Sequence, residues 1–470
     1  MGISEKELIE VLQSDDSEAQ LRAINILKHT RSQKVIDALI AQMDASDANI
    51  RAAITYTLGR IPSAVVIPAL IQALQDHLPK VRWTAALALG QKKATAATDA
   101  LFCALRDQDV IVRGSVAEAL ALIGTSKVEQ RLISLLQDED HDLRRWASYA
   151  LGQMRAVNAI DPLVQTLHDS SIEVRESVVV SLAEIGDDRA LQSLLNTLTD
   201  PNPEVRNTAS EMIREFKSPE AINLLLDALK TGESHTRRSI LLALGHIRCV
   251  EAVPEIITCL SDQETIVRSS AAYALGMIAS LDAVEPLIHS LTDRDVKVQE
   301  NAAYALGNIQ DERAIVPLLA LCDSSHDAVR LGAVYALGSF KSKESLPVLL
   351  KAIQDTNAAI RKSAAYALGQ IRSAEAIPHL LQALKDQNSY VRQKAADSLE
   401  KIVTSEAVDD LLSFLQYETD EYARTVIVYL LGEIGGKNLS SVLQMFDSRG
   451  GDEFKSAIQS AIGKLQQRST

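Results

Sequence analysis

Four cysteines in 470 residues, Cys103, Cys249, Cys259 and Cys322, with no CxxC pair and no regular spacing, provide neither a disulfide framework nor a zinc knuckle to organise a fold. Long apolar runs are missing too. Nothing approaches the roughly 20 consecutive apolar residues of a spanning helix, and the opening MGISEKELIEVLQ lacks the basic-then-apolar order of a signal peptide. A soluble, cytoplasmic protein without membrane insertion is therefore expected. Positive charge is the minority, with 48 Lys and Arg against 62 Asp and Glu, and a net charge of −14 disfavours a phosphate backbone as partner. No nucleic acid is expected. The nucleophile elbow, the P-loop, the dinucleotide fingerprint, the HExxH helix and the EF-hand loop are all absent. The sequence thus offers no catalytic residues, no metal site and no cofactor site. Aromatics make up only 4% of the chain, so their placement carries information.

What the chain has is a period. Arg51, Arg82, Arg113, Arg144, Arg175, Arg206, Arg237, Arg268, Arg330, Arg361 and Arg392 fall on a 31-residue grid, with Gln299 filling the one other position. Arg22, Arg424 and Lys455 occupy the same slot near the ends, making fifteen units. Such a period replaces a prior of about three domains with one continuous array, residues 1–470. Residues 1–30 and 447–470 read as atypical capping units, the latter a last helix and tail, and 31–446 as the regular repeats. Ser4 and Glu7 form a capping-box pattern at the first helix.

Each unit reads as two helices. The first, as in residues 65–76, has apolar residues three and four apart and a proline such as Pro68 or Pro254 in its first turn, where no helical N–H is lost. The second carries the arginine and opens behind a capping residue four positions earlier: Asp47, Asp109, Asp140, Ser171, Asn202, Asp295, Asn357, Asn388 or Asp420. A mid-helix glycine eight residues after the arginine costs about 1 kcal/mol relative to alanine, so close helix packing is expected at that point. An aspartate six residues before the slot, as at Asp76, Asp107 and Asp293, suggests a ladder of arginine–aspartate hydrogen bonds within or between units. The fold class is all-α, an α-α superhelix of helix pairs.

The pattern VRxxAAYALGxI followed by AIPxLxxALxD resembles the HEAT repeat in its short, phycobilisome-lyase-like form. The resemblance implies an α-solenoid whose arginine-bearing helices line the concave face. It further implies either a scaffold or assembly chaperone, or alternatively a phycobilin lyase or bilin carrier, bilin being the only cofactor considered. Deoxyhypusine hydroxylase, of similar build, holds iron through His-Glu dipeptides. None of the nine histidines here precedes a glutamate.

At about 100° per residue, slots −1, +3, +6, +7 and +10 from the arginine form the apolar side of the second helix, and −2, +1, +2, +5 and +9 fall within roughly a 100° arc opposite. Tyr56, Tyr149, Tyr273, Tyr304, Tyr335, Tyr366 and Tyr429 stand at +5, Tyr390 and Tyr422 at −2, Trp83 at +1 and Trp146 at +2, whereas Phe216 and Phe340 take the +10 core slot. Only Tyr417 lies elsewhere. Aromatics with a polar tip supply contact area at modest entropy cost. The same arc carries Glu173, Glu176, Glu184, Glu204, Glu211 and Glu215 in two consecutive units. A groove that binds a basic, or mixed apolar and basic, protein surface is one reading. Tyrosines packed on the adjacent unit and solvated glutamates are the other.

Overall fold

The computed structural model describes residues 5–14, 16–28, 32–436, 438–446 and 451–467. Ser4 of the capping-box pattern and the last three residues of the tail lie outside them. Helices account for all the regular structure among the described residues. The chain falls into two compact units, Met1–Ala228 and Leu229–Thr470.

The repeat is typified by residues 281–309. A 3-10 turn, Leu281–Ala283, leads into a short helix, Val284–Ser290, and a loop then delivers the chain to the longer helix Val296–Ile309. Asp295 caps the longer helix by accepting the Lys297 N–H. All nine capping residues expected from the sequence accept a first-turn N–H in this way. The first helix is shorter than the continuous 65–76 expected, being a 3-10 turn, Ala64–Val66, followed by Ile67–Ala73. Pro68 has no N–H to give the Ala64 carbonyl, and the Ile67 N–H bonds it instead, three residues on. The same turn precedes Leu191, where no proline follows, so proline fits this entry rather than creating it.

Close packing explains the mid-helix glycines up to Gly432, whereas a Cβ on Gly463 in the last helix would meet nothing within 4 Å. A Cβ added to Gly276 would stand 2.6 Å from Ala305 Cα, and one on Gly90 would stand 2.6 Å from Ala119 Cα. Gly59, Gly245, Gly307, Gly338 and Gly432 face an alanine of the next unit in the same manner, and Gly152 faces Ser181. At these glycines neighbouring second helices touch almost backbone to backbone, and most first helices pack mainly on their own second helix. Gly276→Ala should cost about 1–3 kcal/mol through overpacking, despite alanine's better helix propensity. A lower urea midpoint with unchanged slope is the result to look for, and an unchanged midpoint would mean that the two helices separate freely.

The arginine ladder forms, and it runs forward by one unit. Nε and Nη2 of Arg82 donate to Asp107 at 2.6 and 2.7 Å, while Nη1 donates to the carbonyls of Asp76 and His77 at 2.7 and 3.1 Å. Asp107 also accepts the Asp109 N–H at 2.9 Å, so one carboxylate ties an arginine, a loop and a helix start together. Among the described residues eight arginine–aspartate pairs stand 25 residues apart: Arg51 with Asp76, Arg82 with Asp107, Arg144 with Asp169 and Arg175 with Asp200 in the first unit, and Arg237 with Asp262 (through Nη1 and Nη2), Arg268 with Asp293, Arg330 with Asp355 and Arg361 with Asp386 in the second. Arg206 and Arg392 donate to the carbonyls of Asp200 and Asp386 in their own loops, and 25 residues after Arg392 the chain has Tyr417 in place of aspartate. Arg113 likewise holds its own loop and approaches Asp142, while Asp138 pairs with Arg106. Where Gln299 replaces arginine, its amide keeps the loop contact to Asp293 O at 2.6 Å, and the acceptor position ahead holds Ser324.

Candidate functional site: an aromatic and acidic cavity on the second helices

With the scaffold side of each second helix committed to the core and the ladder, the opposite arc is what remains for recognition. In the first unit four second helices, Val110–Ile123, His141–Gln153, Ile172–Ile185 and Pro203–Met212, present that arc side by side. Between them lies a cavity of about 730 Å³. Twelve of its thirteen lining residues occupy slots −2, +1, +2 or +5, the exception being Val110.

The cavity is built around Trp146. A Cβ on Gly114 would meet the indole Cη2 at 3.2 Å, so glycine there allows the ring to lie close against the preceding helix. Tyr149 meets Trp146 edge to face, with centroids 5.8 Å apart. The Arg145 guanidinium stands 5.1 Å from the indole centroid. Val110, Ile111 and Val180 supply apolar wall, Ser115, Ser177 and Thr208 small polar wall, and Glu118, Glu173 and Glu176 the carboxylates. Ile111 is 60% exposed, an apolar side chain facing water at the rim.

The charges sense one another. Burial pushes the Glu176 carboxyl up, Glu204 and Glu173 add to that, and Arg145 opposes it. Exposed Glu173 is held low chiefly by the Ser171 hydroxyl, which donates to it at 2.7 Å, with His141 and Arg145 assisting. Burial, then Glu118 and Glu184, push the Tyr149 phenol up. Three carboxylates against one guanidinium leave the cavity with a surplus of negative charge.

Of the sequence candidates, Trp146, Tyr149, Glu173 and Glu176 come together here, with Glu204 within electrostatic reach. Glu184 instead accepts from Gln153 at 2.7 Å, Glu215 pairs with Arg214 at 3.6 Å, and Glu211 is exposed on its own helix. Trp83, on Pro79–Gln91, and Tyr56, on Ala48–Arg60, occupy the same arc of the first unit, half-buried and exposed respectively, but do not line the cavity. Glu118, Arg145 and Ile111 were missed as candidates. Their slots, +5, +1 and −2, carry the signal that would have found them.

The tyrosine row belongs to the second unit, apart from the glutamates. Tyr304 and Tyr335 meet with centroids 5.0 Å apart; Tyr304 is half-buried, and Tyr273, Tyr335 and Tyr366 are exposed. Lys394 and Lys401 stand 5.8 and 5.6 Å from the Tyr366 ring, Arg392 lies 5.7 Å from Tyr422, and Lys464 lies 4.4 Å from Tyr429. Tyr390 is exposed. Cations of the chain itself therefore already sit over several of these rings. Phe216 is buried and Phe340 half-buried, as their core slot implies.

The cysteines are scaffold-like. Burial pushes the thiols of Cys249 and Cys259 up and that of Cys322 up to about 12, the opposite of nucleophile activation. Cys103 is exposed. Among the described residues no group of three or more His, Cys, Asp or Glu could hold a metal ion, and no helix is long and apolar enough to cross a membrane.

A stack of helix pairs locked by inter-unit glycine contacts and an arginine–aspartate ladder defines a helical-repeat protein. The model of HEAT repeats matches residues 5–77, 67–152, 129–209, 193–276, 253–333, 317–400 and 377–463, and the chain belongs to that family. Among solved structures it is similar to Kap121p bound to Ste12p, with a TM-score of 0.58 and 15% identity over 99% of this chain and 57% of that one. It is also similar to Kap121p bound to Nup53p, with a TM-score of 0.57 and 14% identity over 99% of this chain and 57% of that one. At such identity the likeness establishes the fold alone. The chain spans 56% to 64% of the length of the Kap121p chains it matches. No curated protein matches the sequence significantly.

Proposed function

We propose that this protein is a noncatalytic binding scaffold whose partner presents a basic segment with adjoining apolar residues. The segment docks on the second-helix arc of the first unit around Trp146, Tyr149, Glu173 and Glu176. The observation that carries this reading is the cavity itself, an aromatic floor with surplus carboxylate drawn almost wholly from the arc that neither core nor ladder uses. The fold neighbours lend support, since Kap121p is described in complexes with Ste12p, Nup53p and RanGTP. The tyrosine row of the second unit, with Tyr304 and Tyr335 at its centre, is a separate aromatic surface open to contact. The bilin-lyase alternative rests on the short-repeat resemblance alone, and a shifted visible band on mixing with phycocyanobilin is the result that would support it.

Salt provides the test. Raising ionic strength from about 0.1 M to about 1 M shortens the screening length from about 10 Å to about 3 Å. Binding of a labelled peptide with arginine beside leucine, followed by fluorescence anisotropy, should weaken at least about tenfold. A glutamate-for-arginine peptide should not bind. Salt-independent binding, or equal binding of the acidic peptide, would remove the basis for a basic partner.

A further inference from the structure

The cavity already holds a cation. Arg145 projects from the same helix as Trp146, its guanidinium lies against the indole, and it feels both Glu173 and Glu176. An indole face that accommodates a guanidinium shows by example what it suits. The volume of about 730 Å³ leaves room beside Arg145, and the carboxylates of Glu118, Glu173 and Glu176 outnumber it. We infer that the cavity takes an arginine side chain of the partner segment, and that Arg145 competes with this incoming arginine for the Trp146 face and the Glu173 and Glu176 carboxylates. The inference rests on the function proposed above and adds to it the identity of the anchoring residue and a built-in check on affinity.

Arginine is favoured over lysine on physical grounds. Its planar, weakly hydrated guanidinium stacks on an aromatic face and engages carboxylates in a fork, whereas an ammonium must give up a tighter hydration shell. Val110 and Ile111 at the rim, 51% and 60% exposed, are placed to cover the apolar residue next to that arginine. Glu176, half-buried with Glu173 and Glu204 near it, gains from a second cation.

Replacing Arg145 removes only its side chain. The Arg145 carbonyl, which accepts the hydroxyls of Ser148 and Ser177 at 2.7 and 3.1 Å, is kept. Arg145→Ala should therefore fold normally and bind the arginine–leucine peptide about fivefold more tightly, the reverse of the usual loss on truncating an arginine. Arg145→Lys should fall between the two. Unchanged or weaker binding by Arg145→Ala, with Trp146 still required, would overturn the competition while leaving the basic-partner reading in place. If wild type fails to bind the arginine peptide, or binds it without needing Trp146, the proposed function itself fails. Equal affinity for the lysine–leucine peptide would overturn the arginine assignment.

Discussion

Asp293→Ala should lower the stability of the second unit by about 2–3 kcal/mol, somewhat below the ~3–5 kcal/mol of breaking a fully buried ion pair because the ladder edge still meets water. Asp293 accepts Arg268 Nε at 2.8 Å and Nη2 at 3.0 Å, and it also accepts the Asp295 N–H that starts the next helix. Alanine takes the carboxylate from a guanidinium whose side chain is only 5% exposed, leaving it the Asp262 and Gln263 carbonyls and the Thr265 hydroxyl, and frees the helix start. Asp293→Asn keeps an acceptor for the amide and should cost less. Urea unfolding followed by circular dichroism separates the two, and equal, small effects would mean that the ladder is ornamental.

The same ladder sets the acid limit. For Asp76 and Asp386 the arginine hydrogen bond is the largest influence and holds the carboxyl below its ordinary range. For Asp107, Asp169, Asp200, Asp293 and Asp355 burial is the largest single influence and acts upward, but the arginine and backbone hydrogen bonds together outweigh it. All seven carboxyls are thus lower in the folded chain than in the unfolded one. Their contribution is complete above the ordinary aspartate value of about 3.8 and is lost as pH falls below it through the folded values. Thermal unfolding should hold steady down to about pH 5 and give way steeply beneath about pH 4. Constant stability to about pH 2.5 would contradict the assignment.

The second large effect concerns recognition. Trp146→Ala should weaken binding of an arginine–leucine peptide by at least about 2 kcal/mol, roughly 30-fold, because an indole at the centre of a cavity is the kind of residue that dominates an interface. Its removal also opens space beside Gly114, so some local destabilisation is expected. The exchanges Glu173→Gln and Glu176→Gln avoid that problem. Both side chains stay the same size, and together they should reduce affinity several-fold and flatten its salt dependence.

Much of this was legible in the sequence because a repeat states each rule many times over. Asp295, Asn357 and Asn388 occupy the same slot before the same helix, so their capping role could be read without coordinates. Gly276 and Ala305, separated by 29 residues, recur as a pair in unit after unit, and close packing followed. The ladder's existence was readable, but its direction was not. Asp107, for example, is six residues before Arg113 and 25 after Arg82, and only geometry shows that the bidentate bond goes to Arg82 while Arg113 takes the Asp107 carbonyl. The helix ends were also hidden. Lys93, Arg155, Arg248, Ala279, Gln310, Lys341 and Arg372 adopt positive φ at the position that Gly124 and Gly186 fill in their repeats, so no recurring glycine marks the end of the second helix. In the site, aromatic and acidic residues on one arc look like one groove when laid out in a line. Coordinates show that the glutamates and the four-tyrosine row occupy different compact units, and that Lys394 and Lys401, one unit further on, stand over Tyr366.

The most direct test uses a feature of the composition: the chain has two tryptophans, Trp83 and Trp146. In a Trp83→Phe variant all indole fluorescence comes from the cavity floor. Titrating this variant with the arginine–leucine peptide should change the Trp146 emission saturably, and high salt should reverse the change. An emission spectrum that stays constant while anisotropy reports a bound peptide would place the partner elsewhere on the molecule and contradict the account.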